Sequence, residues 1–190
     1  MVDAYALIYK YYYAFMGRPM RNRDGLNTSV VFGFTKFLRD ILRRENPDLI
    51  GVAFDPKGGS FRCQLYPDYK ANRPDYSQMA EEDTPFSQLP DIFAALTQLG
   101  IPFAETTDCE ADDWIAGYVA ALPETAELVI VSQDSDFFQL IDDRVSVLRY
   151  RGQHSLLCDT AYIREKLGIE PAQYAAYKSL TGDTADNIRG

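Results

Sequence analysis

Apolar positions along the chain form short continuous runs that alternate with stretches of helical spacing. The runs at residues 49–54, 101–104 and 128–132 have the length of buried strands. In residues 28–44, Val30, Phe34, Leu38 and Ile41 recur at helical spacing. The same criteria, with capping and stop residues, predict helices at residues 4–15, 88–99, 110–121, 159–167 and 171–181, and a hairpin of residues 145–150 and 155–158.

This alternation of strands and helices predicts an α/β fold, a central and mostly parallel sheet with helices on both faces. Residues 58–85 interrupt the alternation, because they contain aromatic and basic residues but no long apolar stretch. We interpret them as an excursion above the sheet that acts as a lid or a substrate guide. In such folds the ligand site lies beyond the carboxyl ends of the strands.

Composition is that of an ordinary folded domain. The chain has 190 residues, 46% of them hydrophobic, which is enough for one core. Its cysteines, Cys63, Cys109 and Cys158, are too far apart for a CxxC metal site and fit a reducing cytoplasm. Because no apolar run reaches the roughly 20 residues of a membrane span and no signal-peptide layout is present, we expect a soluble intracellular protein with no membrane partner.

Charge is unevenly distributed along the chain, although the net charge is −9. Residues 1–73 carry 12 Lys/Arg against 7 Asp/Glu, and residues 144–190 carry 7 against 5. Residues 74–143 carry no Lys/Arg and 16 Asp/Glu. The separation predicts a basic surface that faces an acidic centre, so the negative total does not exclude a nucleic-acid partner.

Nine acidic residues stand in five short groups. Taken alone, residues 110–113 could be favourable charge at a helix N-terminus, residues 134–136 a turn, and residues 183–187 a polar loop. Together they place hard oxygen ligands where strand ends and helix starts converge, which predicts a site for divalent cations. The nine residues are Asp3, Asp55, Glu110, Asp112, Asp113, Asp134, Asp136, Asp183 and Asp186.

Two metal ions about 4 Å apart can activate a water molecule and stabilise the leaving oxygen of a phosphodiester, so phosphodiester hydrolysis is the predicted reaction class. The one histidine, His154, lies in the predicted hairpin and is expected at the surface. A glycine-rich P-loop is absent, which argues against nucleotide triphosphate hydrolysis.

Seven stretches also match a known family in its own order and span nearly the whole chain. They are DAYALIYKYYYAF from Asp3, VAFD from Val52, FR from Phe61, YKANRP from Tyr69, EADD from Glu110, DSD from Asp134 and GDTADNI from Gly182. In these stretches the chain resembles the 5′-nuclease (flap endonuclease) superfamily, and within it the 5′→3′ exonuclease domain of bacterial DNA polymerase I.

The resemblance implies a PIN-like α/β domain that cuts 5′ flaps and 5′ ends of DNA, and RNA primers in a duplex, with two Mg²⁺ ions per site or Mn²⁺ in their place. It also implies how the acids divide between the two metals. Asp55, Glu110, Asp112 and Asp134 resemble ligands of the first metal with Asp3 nearby, Asp136, Asp183 and Asp186 resemble ligands of the second, and Asp113 resembles a ligand or a supporting acid.

The family's helical arch, which admits the single-stranded 5′ end, would correspond to residues 66–84. There Lys70 and Arg73 resemble the cations that grip the scissile phosphate, and Tyr69 resembles an aromatic residue that stacks on a base. Arg62 and Lys10 are further substrate-binding candidates by the same resemblance, although the relatives usually have arginine at the position of Lys10. The implied catalytic residues are Lys70, Arg73, Asp112 and Asp134.

The chain departs from the family at both ends. An apolar strand precedes the first aspartate in the family, so we expect the first strand to be nearly absent here. A helix-hairpin-helix region would follow residue 190, and we expect it to be missing or truncated. A covalently linked polymerase domain is a further expected partner in the full-length protein, with a bacterial, nucleoid-associated location in the cytoplasm.

Two alternatives remain open at the level of sequence. A module with an incomplete site would bind branched DNA without cutting it. An aspartate-dependent phosphatase would use Asp134 and Asp136 as its nucleophile pair, but would leave Tyr69, Lys70 and Arg73 without a role.

Overall fold

The computed structural model describes residues 1–56 and 60–190, and a six-stranded sheet forms its centre. The strands are β1 (Val2–Asp3), β2 (Val52–Phe54), β3 (Phe103–Glu105), β4 (Leu128–Val131), β5 (Val145–Arg149) and β6 (Leu156–Cys158). Their order is β3-β2-β1-β4-β5-β6, and all neighbours are parallel except β5 and β6, which form the predicted hairpin. The expected mostly parallel sheet is therefore confirmed.

Helices cover both faces of this sheet. Within the described residues they are α1 (Ala4–Phe15), α2 (Ser29–Arg44), α3 (Phe61–Leu65), α4 (Leu89–Gln98), α5 (Ala111–Ala120), α6 (Thr160–Leu167) and α7 (Tyr174–Thr181). None of these helices combines the length and the hydrophobicity that a membrane span requires.

The strands serve two cores because their side chains alternate between the faces. In β2, Val52 and Phe54 pack in the core formed with α1, α2 and α4, whereas Ala53 packs in the core formed with α5, α6 and α7. In β4, Val131 joins the first core and Ile130 the second. Both faces are thus apolar, which is why these strands appear in the sequence as continuous apolar runs.

Strand β1 has two residues but lies in the middle of the sheet. The N–H of Val2 donates to Gly51 O at 2.8 Å, and the N–H of Val131 donates to Met1 O at 2.8 Å. The strand that we expected to be nearly absent is short, yet it pairs with both β2 and β4. Asp3, its last residue, therefore stands at the centre of the carboxyl edge.

The structure corrects some of the predicted boundaries. Strand β2 starts at Val52 and not at residue 49, because Leu49 is 86% exposed and lies outside the ladder. Strand β3 starts two residues later and ends one residue later than the predicted 101–104, although Ile101 is buried. In residues 66–84 the structure has turns and one 3₁₀ helix, Glu81–Asp83, so the α-helix of the excursion, α3, precedes the range expected for the arch.

Helices α1 and α2 approach each other closely at Gly33. A Cβ atom at this position would lie 2.4 Å from Cγ of Tyr11, well inside van der Waals contact. We expect Gly33→Ala to lower the free energy of unfolding by about 1–3 kcal/mol, because the Tyr11 ring must move in a packed region. Denaturant unfolding monitored by circular dichroism measures this change.

Gly117 provides the matched control, since it lies in helix α5 with no atom within 4 Å of a built Cβ. Gly117→Ala should raise stability by about 0.5–1 kcal/mol through helix propensity. Equal effects of the two substitutions would contradict the close approach at Gly33.

Candidate metal and nucleic-acid site

The acidic residues meet at the carboxyl edge of the central strands. Asp3 ends β1, Asp55 follows β2, and Asp134 follows β4, and these three strands are neighbours in the sheet. Helix α5 begins at the same edge, because the N–H of Ala111 donates to Oδ1 of Asp55 at 2.7 Å. That hydrogen bond brings the start of the helix, with Asp112, to the strand ends.

Asp3, Asp55, Asp112 and Asp134 form the first acidic group. Burial raises the pKa of Asp112 to about 8, and the charges of the other three carboxylates add to the rise. Burial likewise raises the pKa of Asp3 to about 6, opposed by a hydrogen bond from Ser132 and assisted by the charges of Asp55 and Asp134. Carboxylates that repel in this way are stabilised either by a proton or by a cation.

Ser132 is a member of this site that the sequence did not reveal. Its Oγ donates to Oδ2 of Asp3 at 2.6 Å and accepts from the N–H of Asp134 at 3.0 Å. Asp3 is 6% exposed and Ser132 is 2% exposed, so both groups are fixed. The only signal in the sequence is that Ser132 ends the apolar run before Asp134.

Asp136, Asp183 and Asp186 form the second acidic group. Each offers an oxygen within 4.8 Å of the others, a spacing that suits a single cation. Asp183 and Asp186 lie in the turn after α7, which a β-bridge between Asp183 and Ile188 closes. The structure thus brings together the three residues that the sequence assigned to a second metal.

Lys178, on α7, was missed by sequence reasoning and lies within the second group. Its Nζ is 2.5 Å from Oδ2 of Asp183 and 3.2 Å from Oδ1 of Asp136. Burial alone would lower the pKa of Lys178, but the two carboxylates raise it. Burial and the charge of Asp134 raise the pKa of Asp136 despite the ammonium group beside it. A lysine in the last helical turn before Gly182-Asp183 is the signal that could have identified it.

Glu110 and Asp113 contact cations of the excursion. Glu110 Oε2 accepts from Lys70 Nζ at 2.8 Å and from the Tyr69 hydroxyl at 2.9 Å, and its Oε1 accepts from the Ser60 hydroxyl. Burial would raise the pKa of Glu110, but the ammonium group of Lys70 and these hydrogen bonds hold it below its usual value.

Arg62 binds both oxygens of Asp113 at 2.6 Å, and Arg73 donates to Oδ1 of Asp186 at 2.7 Å. The guanidinium group of Arg62 lowers the pKa of Asp113. Hence both predicted phosphate-gripping cations, Lys70 and Arg73, occupy carboxylates of the site.

The remaining predicted residues lie as follows. Tyr69, predicted to stack on a base, is 8% exposed. Lys10 donates to Tyr150 O at 2.6 Å, and Gln133, next to Asp134, donates to the same carbonyl. Lys10 therefore contacts the backbone, and its ammonium group also lies 4.9 Å from the centre of the Tyr150 ring. His154 is exposed, as expected.

Lys70 has a left-handed backbone, with φ of 57°. This conformation costs a non-glycine residue on the order of 1–3 kcal/mol and persists where surrounding contacts impose it. Here its N–H donates to Asp186 O at 3.0 Å while its Nζ is held by Glu110. Contacts to two distant parts of the site thus fix the position of this lysine.

The donor set fits divalent cations such as Mg²⁺ and Mn²⁺, because every ligand is a carboxylate oxygen. The first group sits in a buried, mutually repelling arrangement, and the second brings three carboxylates within reach of one ion. Lys70, Arg73 and Lys178 lie within hydrogen-bond distance of Glu110, Asp186 and Asp183, respectively, and offset part of the negative charge.

The chain belongs to the family of 5′-3′ exonuclease N-terminal, resolvase-like domains, which it matches over residues 1–168. It is 37% identical to DNA polymerase I of Treponema pallidum over the whole chain and 19% of that protein. It is also 37% identical to the thermostable DNA polymerase I of Thermus aquaticus, again over the whole chain and 22% of that protein. The chain therefore spans about a fifth of the length of these relatives.

Solved structures confirm the fold class. Bacteriophage T5 5′-exonuclease with bound zinc ions superposes with a TM-score of 0.76 at 24% identity, over all of this chain and 68% of that one. The catalytic core of Rad2 in complex with a DNA substrate superposes with a TM-score of 0.57 at 19% identity, over all of this chain and 55% of that one. These similarities establish the expected 5′-nuclease fold.

The raised pKa values predict how the stability of the metal-free protein depends on pH. The folded state retains protons on Asp112 and Asp3 up to pKa values of about 8 and about 6, whereas in the unfolded chain both lose them near their ordinary 3.8. The folded state therefore binds more protons over this interval, and stability is lost as pH rises. In chelator, we expect the melting temperature to fall between about pH 5 and about pH 6, where both acids contribute. Above about pH 6, the buried amino group of Met1, whose pKa burial lowers to about 6, opposes the contribution of Asp112 and flattens the fall.

Asp112→Asn is the matched variant, since it removes the group with the higher pKa and keeps its shape. Its melting temperature in chelator should vary less with pH and exceed that of the parent chain at pH 8. Added Mg²⁺ or Mn²⁺ should raise the melting temperature of the parent most at high pH, because the ion replaces the lost protons. A melting temperature that rises with pH in chelator would contradict the assignment.

Proposed function

We propose that this domain is a divalent-metal-dependent 5′→3′ exonuclease and 5′-flap endonuclease that hydrolyses phosphodiester bonds in DNA. The observation that carries the proposal is the pair of acidic groups at one sheet edge, with Lys70 and Arg73 directed at them from the excursion. Membership of the exonuclease family and the length of the match, residues 1–168, support it.

The acids divide between two metal positions in the proposed site. Asp55, Glu110, Asp112 and Asp134 would hold one Mg²⁺ with Asp3 beside it, and Asp136, Asp183 and Asp186 would hold the other, with Mn²⁺ as an alternative. A bound pair of such ions supplies an activated water and charge stabilisation of the leaving oxygen. Asp113 has a supporting role in this proposal, since Arg62 occupies both its oxygens.

Lys70 and Arg73 would bind the scissile phosphate after leaving Glu110 and Asp186. Both are long, flexible cations already within hydrogen-bond distance of the acids, so a short movement brings them to a phosphate lying over the metals. Arg62 and Lys10 would contact the nucleic-acid backbone. Tyr69 would stack on a base once its hydroxyl leaves Glu110.

The proposed substrates are DNA with a 5′ flap or a 5′ end and RNA-primed duplexes, as in replication and repair. Because the relatives named above are DNA polymerases I about five times longer than this chain, a covalently linked polymerase domain is the proposed partner. A bacterial, nucleoid-associated location in the cytoplasm follows from the same proposal.

Removal of a first-group acid should abolish cleavage. We expect Asp112→Ala or Asp134→Ala to reduce cleavage of a labelled 5′-flap duplex in Mg²⁺ by more than about 100-fold, since even residues that only support metal ligands contribute 10–100-fold. The metal-free variants should remain folded, because losing one acid relieves repulsion. Glu124→Ala, which removes an exposed acid, is the control and should cleave normally. Flap binding without cleavage by the unaltered chain would instead favour the binding-module alternative.

The two cations should act on the reacting phosphate more than on affinity. Lys70→Ala or Arg73→Ala should slow single-turnover cleavage by about 10²–10³-fold while changing the Kd for duplex DNA far less. Lys166→Ala, at an exposed position on α6, should change neither. Parallel losses in rate and affinity would make Lys70 and Arg73 general backbone contacts.

A further inference from the structure

Two cations of residues 66–73, which we term the lid segment, occupy carboxylates that the metals would need. Lys70 Nζ lies 2.8 Å from Oε2 of Glu110, and Arg73 lies 2.7 Å from Oδ1 of Asp186. One belongs beside the first acidic group and the other to the second. The lid segment therefore occupies one proposed ligand of each metal.

The backbone of the lid segment is also bound to the loop that carries the second acidic group. The N–H of Lys70 donates to Asp186 O, and the side chain of Asn72 donates to Thr184 O at 2.9 Å. In the reverse direction, Asn187 donates to Asp68 O at 2.9 Å. These contacts hold Lys70 in its left-handed conformation, so the closed position is fixed from both sides.

Apolar contacts hold the chain beyond the lid segment. The Tyr76 ring packs with its centroid 6.3 Å from that of Tyr9 and 5.9 Å from that of Phe86, and its hydroxyl lies 2.7 Å from the Tyr13 hydroxyl. We call these four residues the Tyr76 cluster. All four residues lie outside the lid segment, and these contacts are ring packing and one hydrogen bond between hydroxyl groups.

We propose that the lid segment is a built-in cationic lid that divalent metal ions release. Metal ions and the cations Lys70 and Arg73 compete for oxygens of the same site, so binding of one weakens binding of the other. The Tyr76 cluster does not compete and stays in place, which makes residues 74–75 the hinge. This inference rests on the proposed metal site. It adds that metal binds before the substrate phosphate is contacted, since Lys70 and Arg73 become available to a phosphate only after metal has bound.

Hydrogen–deuterium exchange of the DNA-free protein tests the lid directly. In chelator, amides of residues 66–73 should be protected, because those of Tyr69, Lys70, Ala71 and Arg73 are all hydrogen-bonded. Saturating Mg²⁺ or Ca²⁺ should raise their exchange rate at least tenfold and leave residues 76–86 unchanged. Calorimetric titration with the same metal establishes saturation independently of cleavage.

Two variants distinguish release of the lid segment from a general effect of removing positive charge near the acids. Lys70→Met with Arg73→Met should expose residues 66–73 in chelator, without metal. Lys178→Met removes an equally close cation, but one on α7, so it should tighten metal binding while residues 66–73 remain protected in chelator.

Metal binding with unchanged or slower exchange of residues 66–73 would overturn the inference and leave the proposed function intact. Protection of residues 66–73 in the double variant equal to that of the parent would also overturn it. A parent chain that binds no metal in the titration would overturn both the lid and the proposed function.

Discussion

Mutual repulsion among carboxylates is the constraint on which this structure depends. Three adjacent strands have an aspartate at or shortly after their carboxyl ends, and the first turn of α5 adds Asp112 to them. At such separations, in a partly buried setting, like charges raise each other's free energy substantially. The protein compensates with hydrogen bonds from Ser132 and Ala111 and with its own lysines and arginines, and the raised pKa values of Asp112 and Asp3 favour their protonated forms.

The fold tolerates this repulsion because its stability comes from elsewhere. Two apolar cores, one on each face, are built from strand residues that alternate from one core to the other. The acids lie beyond the ends of those strands and contribute little to either core. A site that binds cations strongly can therefore remain electrostatically unfavourable without unfolding the domain.

Much of this arrangement could be predicted from the sequence, because its signals are local. An apolar run followed closely by aspartate predicts a strand whose end carries a ligand; Asp55 comes directly after its run, and Asp134 comes three residues after Val131. The second acidic group was predicted by resemblance and is assembled as expected. The predicted strand boundaries were wrong where an apolar residue does not pair with a neighbouring strand. Leu49 is an example, since it is apolar but faces solvent.

The contacts between distant segments could not be predicted in this way. Arg73 and Asp186 are 113 residues apart, and no periodicity or spacing records that they meet. The same holds for the hydrogen bond from the Tyr69 hydroxyl to Glu110 and for the ion pair of Lys178 with Asp136. These contacts depend on how the excursion and the final turn lie over the sheet edge.

Strand β1 links the core to the site over a distance of two residues. Val2 is buried in the first core, and Asp3, the next residue, is an acid of the first group. Adjacent strand residues face opposite sides of the sheet. A shift of β1 by one position would therefore put the carboxylate of Asp3 at the buried place of Val2 and the methyl group of Ala4 at the place of Asp3 in the acidic site. The pairing of β1 with β2 and β4 thus holds the centre of the sheet and also sets the position of Asp3 in the acidic site. A change in this pairing would move Asp3 as well.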